Sequence, residues 1–105
     1  MTQDLLTELR SAVDPDHTAV LVIDVQNDFC APGGHTEANL GKNVADCQAV
    51  VEPIVRLVAG ARRAGVVIIW VKADYDRTYL SPPIHARQVA RGIAKAYCVA
   101  GTWGA

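Results

Sequence analysis

Asp24 has the setting in this chain that most invites chemistry. It closes an apolar run, Ala19-Val-Leu-Val-Ile23, and opens a polar stretch, Val25-Gln-Asn-Asp-Phe-Cys30. A run apolar on both faces reads as a central strand of a parallel sheet covered by helices. In open α/β sheets, ligands sit at the carboxyl ends of the strands. A carboxylate at that place can take or give a proton to a bound molecule. It can also simply cap the following turn with its side chain. The residues alone leave both roles open.

The elements that would hold Asp24 follow from periodicity. Leu5, Leu6, Leu9 and Val13 share one helical face, so residues 3–12 read as a short amphipathic helix. Thr2 can cap its start, and Asp14-Pro15 ends it. After the strand, residues 31–43 read as loop, punctuated by Pro32-Gly33-Gly34 and continued by Asn39, Gly41 and Asn43. That is longer than the usual 2–6 residues of a βα connection, which points to a functional loop. Residues 44–64 fit a long helix with Val44, Cys47, Val51, Ile54, Val55, Val58 and Ala61 on one face. Asn43 is its expected cap and Gly65 its stop. Pro53 should kink it or delay its start. Cys47 is most simply a small core residue.

Residues 66–72, Val-Val-Ile-Ile-Trp-Val-Lys, read as a second buried strand with Trp70 in the core. Strand, helix and strand with one crossover make a right-handed βαβ unit. Residues 73–81 then lie beyond the second strand on the same edge as Asp24 and can line the same crevice. Ser81 and Pro82 signal a further helix over 82–91, with His85 a surface or packing residue.

Bulk properties set bounds. The chain has 105 residues and a net charge of −1, so it is one domain at most with no electrostatic case for nucleic acid or an acidic membrane. Cys30, Cys47 and Cys98 are odd in number and lack metal-ligand spacing, which favours a reducing, cytoplasmic setting. The N-terminus lacks a signal peptide's basic and apolar regions, and no run reaches the length of a membrane span. Two strands apolar on both faces need neighbours at their edges and layers above and below. The chain is therefore expected to be a single incomplete domain. Residues 1–16 form a helical arm, and 17–105 form the first βαβ unit with its following loops. Further sequence, rather than association, is expected to supply the missing strands.

Ala19-Val-Leu-Val-Ile-Asp-Val-Gln-Asn-Asp-Phe29 resembles the opening motif of the isochorismatase-like cysteine hydrolases. Pro32-Gly33-Gly34, Ala64-Gly-Val-Val-Ile-Ile-Trp70 and Gly101-Thr-Trp-Gly-Ala105 are similar to later segments of that family, in the same order. The resemblance implies the N-terminal portion of a three-layer α/β/α, Rossmann-like parallel-sheet fold. It also implies a catalytic acid, lysine and cysteine acting on a small-molecule amide. The acid maps onto Asp24. The lysine and cysteine fall beyond Ala105, so Lys42, Lys72, Lys95 and the three thiols are all in the wrong segments. Cys30 lies six residues beyond Asp24, in a loop, with no orienting partner. Residues 1–105 alone are expected to be inactive.

Gln26 and Phe29, following the acid, are candidates to line the substrate pocket, Phe29 as an apolar wall or as core. Asp74, Asp76 and His85 lack the spacing of the family's metal-dependent nicotinamidases, so neither a metal nor another cofactor is expected. The strand 66–72, the loop 73–81 and the Gly-Thr-Trp-Gly segment look more like the carbamoyl and ureido amidohydrolases. Two alternatives remain: an isochorismatase-type vinyl-ether hydrolase, and an inactive relative serving as an assembly module. The family also implies a homo-oligomer.

Overall fold

Two strands of five residues form the frame. In the computed structural model, which describes residues 2–105, β1 (Ala19–Ile23) and β2 (Val67–Val71) run parallel. Ala19 pairs with Val67, Leu21 with Ile69 and Ile23 with Val71. Parallel neighbours need a long crossover, and the chain provides one. After β1 come two single-turn helices, α2 (Asn27–Cys30) and α3 (His35–Ala38), and then the long helix α4 (Ala45–Arg63). Ahead of β1 stands α1 (Gln3–Ala12), and beyond β2 lies α5 (Pro82–Ala90). The expected α/β class with a parallel sheet is what the structure shows. The described residues supply the sheet and one helical layer.

Each boundary has a local cause. Thr2 caps α1, its hydroxyl accepting from the Leu5 N–H at 3.2 Å. Asp14 caps the 3-10 turn Pro15–His17 that leads into β1. The cap of α4 differs from expectation. Val44 holds the cap position without a side-chain bond, while the Asn43 side chain accepts from Ala45 N–H at 2.8 Å. Asn43 thus builds the turn before the helix rather than the helix end itself. Gly65 ends α4 as expected, at φ +77°, with Val66 N–H reaching back to the Ala61 carbonyl.

Pro53 lies inside α4, and the helix neither starts late nor stops there. Proline removes one donor, leaving the Ala49 carbonyl without its i+4 partner. Ala49 and Pro53 are both on the exposed side, where water can take that carbonyl. The loop expected over 31–43 contains α3, and α2 forms within the polar stretch after Asp24. Helices of one turn carry too little periodicity to show in a sequence.

The strands are less buried than their composition suggests. Val20 lines a groove against Leu57, Gly60 and Ala61 of α4, and Val22, on the same face, is 6% exposed. Residues of the other face, Leu21, Ile23, Val67, Ile69 and Val71, are 40–59% exposed. Trp70, expected in the core, stands opposite Val22 and is 55% exposed. The buried apolar set is small: Val22, Val44, Val58, Ala61 and Cys98. Val22→Ala should therefore cost about 2 kcal/mol, the usual penalty for emptying a buried aliphatic site. Leu21→Ala should cost under about 0.5 kcal/mol. Urea unfolding of the two variants tests this, and equal losses would mean both faces are covered in solution.

Candidate functional site

The carboxyl edge of the two strands gathers three stretches distant in sequence: 24–35, 73–76 and 97–104. Asp24 follows directly on β1. Its N–H donates to the Val71 carbonyl at 3.0 Å, extending the parallel ladder by one rung. Its φ is +59°, in the left-handed region. Few side chains accept that conformation, and Asp is one of them. Such backbone strain clusters at functional sites. The Asp24 carbonyl accepts from Gln26 N–H at 3.0 Å, which turns the chain sharply. The residue is exposed, and no donor among the described residues bonds its carboxylate. Its side chain is thus not the cap of the turn that follows.

Gln26 is 3% exposed, and its amide is fully occupied in one direction. It donates to the Ala73 carbonyl and accepts from Ala73 N–H, both at 2.9 Å. This is the pairing of a backbone strand made by a side chain. It ties the turn after β1 to the exit of β2. Phe29 meets Tyr75 and Tyr97 edge-on, with ring centroids 6.5 and 6.0 Å apart. Residues 73–76 thus share the crevice edge with the stretch after Asp24.

Asp28 is the residue that sequence reasoning missed. Its carboxylate accepts from Cys98 N–H at 2.7 Å and from His35 N–H at 3.1 Å. Its own N–H donates to the Gly104 carbonyl at 3.1 Å. Beside it, the Asn27 amide donates to the Trp103 carbonyl at 2.7 Å. The Gly-Thr-Trp-Gly segment is thereby strung along the turn that begins at Asp24. Glycine is required at both contact points. A Cβ on Gly104 would overlap the Asp28 carboxylate, and one on Gly34 would overlap the Asn27 carbonyl. Nothing local in the sequence signals a partnership across seventy residues.

His35 is 5% exposed and stacks on Tyr97 at 3.9 Å, and Tyr97 stacks in turn on Tyr75 at 4.4 Å. Its protonation follows from its neighbours. Lys95 can only donate, so its bond to Asn39 Oδ1 at 3.2 Å turns the Asn39 amide nitrogen toward His35. His35 Nδ1 must then accept, at 3.0 Å, and the imidazole is neutral with its proton on Nε2. Burial pushes the imidazole below its ordinary value, with Lys95 adding to this and the Asp28 carboxylate opposing it.

The thiols do not meet the Asp24 carboxylate. Cys30 Sγ points at the Asp24 backbone oxygen, 3.9 Å away. Burial raises its pKa, and Cys47 and Asp24 add to the rise. Cys98 is 1% exposed at φ +52°. Its thiol is pushed up to about 11, by burial first and then by the nearby carboxylates. A nucleophilic thiol needs the opposite influences. Asp74 and Asp76 spend side-chain oxygens on the turn N–H groups of Asp76 and Thr78, and His85 Nε2 accepts from Arg77 at 2.8 Å. No group of three His, Cys, Asp or Glu side chains among the described residues is placed to hold a metal ion.

This edge, with its acid in a left-handed turn braced by the Gly-Thr-Trp-Gly segment, has relatives. The model of the isochorismatase domain matches residues 18–105. The chain belongs to the isochorismatase family. Within it, the ureidoacrylate amidohydrolase RutB of Methylobacterium radiotolerans is 38% identical over 69 residues, covering 66% of this chain and 26% of that protein. The RutB of Enterobacter sp. (strain 638) is 38% identical over 66 residues, covering 63% and 28%. The matched stretch thus spans about a quarter of the length of these relatives. No helix among the described residues is long and apolar enough to cross a membrane.

Two outcomes follow from this geometry. Asp28→Asn puts amide hydrogens where an ionised acceptor held two N–H groups, and should cost about 2–3 kcal/mol in denaturant titration. His35, depressed in the fold, contributes fully above its unfolded value of about 6.5. That contribution is lost as pH falls through this value toward the lower folded one. The melting temperature should drop between pH 7 and 5.5, and His35→Gln should flatten that drop in thermal scans at matched ionic strength.

Proposed function

We propose that this chain carries the acid of a cysteine amidohydrolase that cleaves a C–N bond of a small carbamoyl- or ureido-type substrate. The observation that supports it is the placement of Asp24. No donor among the described residues bonds its carboxylate, it sits at the carboxyl end of a parallel strand, and the backbone is held left-handed by bonds on both sides. The RutB relatives, named for hydrolysis of an amide of ureidoacrylate, favour this substrate class over a vinyl ether.

In this reading Asp24 takes the proton of a substrate-attacking thiol. A thiol near pKa ~8.5 is mostly protonated at neutral pH and needs such a base. The thiolate adds to the carbamoyl carbon, the amine leaves with the proton that Asp24 took, and water hydrolyses the resulting S-carbamoyl thiocarbamate. None of the three thiols here fits the nucleophile. The thiol and the lysine that accompanies it come from outside residues 1–105. Phe29, with Tyr75 and Tyr97, is the apolar wall of the pocket. Gln26 acts by fixing the turn that presents Asp24, because its amide is already engaged by Ala73.

Residues 1–105 alone should release no amine from ureidoacrylate. The protein translated from the frame extended past Ala105 should hydrolyse it. In that protein Asp24→Asn should lower kcat by roughly 10²–10⁴-fold, the weight of a general base, with KM little changed. Hydrolysis by 1–105 that survives Asp24→Asn would sink the proposal, as would an extended frame without lysine and cysteine.

A further inference from the structure

Cys30 and Cys47 have no task in the proposed hydrolysis, yet the fold turns them toward each other. Cys30 ends α2, its N–H donating to the Gln26 carbonyl at 2.9 Å. Cys47 lies in the first turn of α4. Residues 45, 46 and 48 to 50 of that helix are exposed, and Cys47 among them is half-buried. Its side chain is therefore the one that faces inward at this end of the helix.

The element it faces is α2, which packs against α4. The Gln48 side-chain amide donates to the Cys30 carbonyl and joins the end of α2 to the start of α4. The two thiols act on each other. Burial raises the pKa of the Cys30 thiol first, and Cys47 raises it further by charge and by hydrogen bonding. Influences of this kind reach only a few ångströms.

The third thiol is a poorer partner. Cys98 is 1% exposed, and burial with the nearby carboxylates pushes it up to about 11, so it is protonated and closed to reagents. Cys30 is the last and least of the influences on it. Cys30 and Cys47 are both half-buried, open enough for a small oxidant to reach.

We propose that Cys30 and Cys47 form a dithiol modification site, which a low-molecular-weight disulfide such as oxidised glutathione converts to an intramolecular Cys30–Cys47 disulfide. One cysteine, as its thiolate, attacks a sulfur of the small disulfide. That S–S bond breaks, and one glutathione leaves with the electron pair and takes up a proton. The second cysteine, deprotonated in turn, attacks the protein sulfur of the mixed disulfide and releases the second glutathione. The protein loses two electrons and two protons, and both pairs end in two molecules of reduced glutathione. The bond closes the loop of residues 31–46. The Cys30 sulfur then carries no hydrogen, so the Asp24 carbonyl loses the thiol 3.9 Å away and keeps only the Gln26 N–H. In reducing compartments such bonds are usually transient and redox-sensing.

A raised pKa slows thiol–disulfide exchange without moving the balance between thiol and disulfide, so the test is made at equilibrium. Residues 1–105 are held in glutathione redox buffers, quenched with acid and resolved by mass spectrometry. The expected product is a single chain lacking two hydrogens, with the Cys30 and Cys47 peptides joined and Cys98 free. The constant for forming the bond should be ~100-fold larger in buffer than in concentrated guanidinium chloride, the ratio expected when a fold already holds two thiols together. The carbonyl carbon resonance of Asp24 should move on oxidation of the parent and stay in place in Cys47→Ser. Equal constants in the two solvents would overturn the proposal. So would a Cys30–Cys98 bond, a bond between chains, a reaction that stops at the mixed glutathione adduct, or an Asp24 resonance unmoved by the disulfide.

Discussion

The carboxylate of Asp28 holds the end of the chain against its beginning. One oxygen takes the N–H of Cys98 and the other that of His35, while the backbone N–H of Asp28 holds Gly104. Cys98 is left-handed, a conformation that costs on the order of 1–3 kcal/mol for a residue with a side chain. A charge-assisted bond is worth about 1.5–3 kcal/mol, enough to offset that cost. With this bond in place, Tyr97 is presented to His35 and Tyr75, and the aromatic stack closes over Phe29. Remove the carboxylate, and both the strained backbone and the stack lose their reason to hold.

The same stretch sets the electrostatics of the edge. Carboxylates at 24, 28 and 74 push the Cys98 thiol upward, and a buried, neutral imidazole stands among the aromatics. An acidic, partly desolvated edge keeps its own thiols protonated.

Much of the fold was legible because periodicity is a local signal. The strand ending at Asp24, the long helix stopped by Gly65 and the capped N-terminal helix all follow from spacing within a few residues. The family motif located Asp24 at a strand end, and the structure adds its left-handed backbone and a carboxylate with no donor among the described residues. What escaped was non-local. Asp28 is one polar residue among several, and its partners are 7 and 70 residues away in sequence. Gln26 looked like a pocket residue because of its neighbours, whereas its amide completes a backbone pairing with Ala73. Trp70 and the outer strand face read as core because apolar composition reports what a surface prefers, and the described residues supply only one covering layer.

The left-handed turn at Asp24 has a consequence for what can stand there. Position 24 passes every substitution through two filters. Sterics admit Gly, Asn and Asp readily and resist branched or bulky side chains. The proposed hydrolysis would require a carboxylate. Asn satisfies the first and fails the second, and Glu satisfies the second while fitting the first poorly. Aspartate is the residue that passes both, so the backbone narrows the chemical alphabet at this position before any substrate arrives.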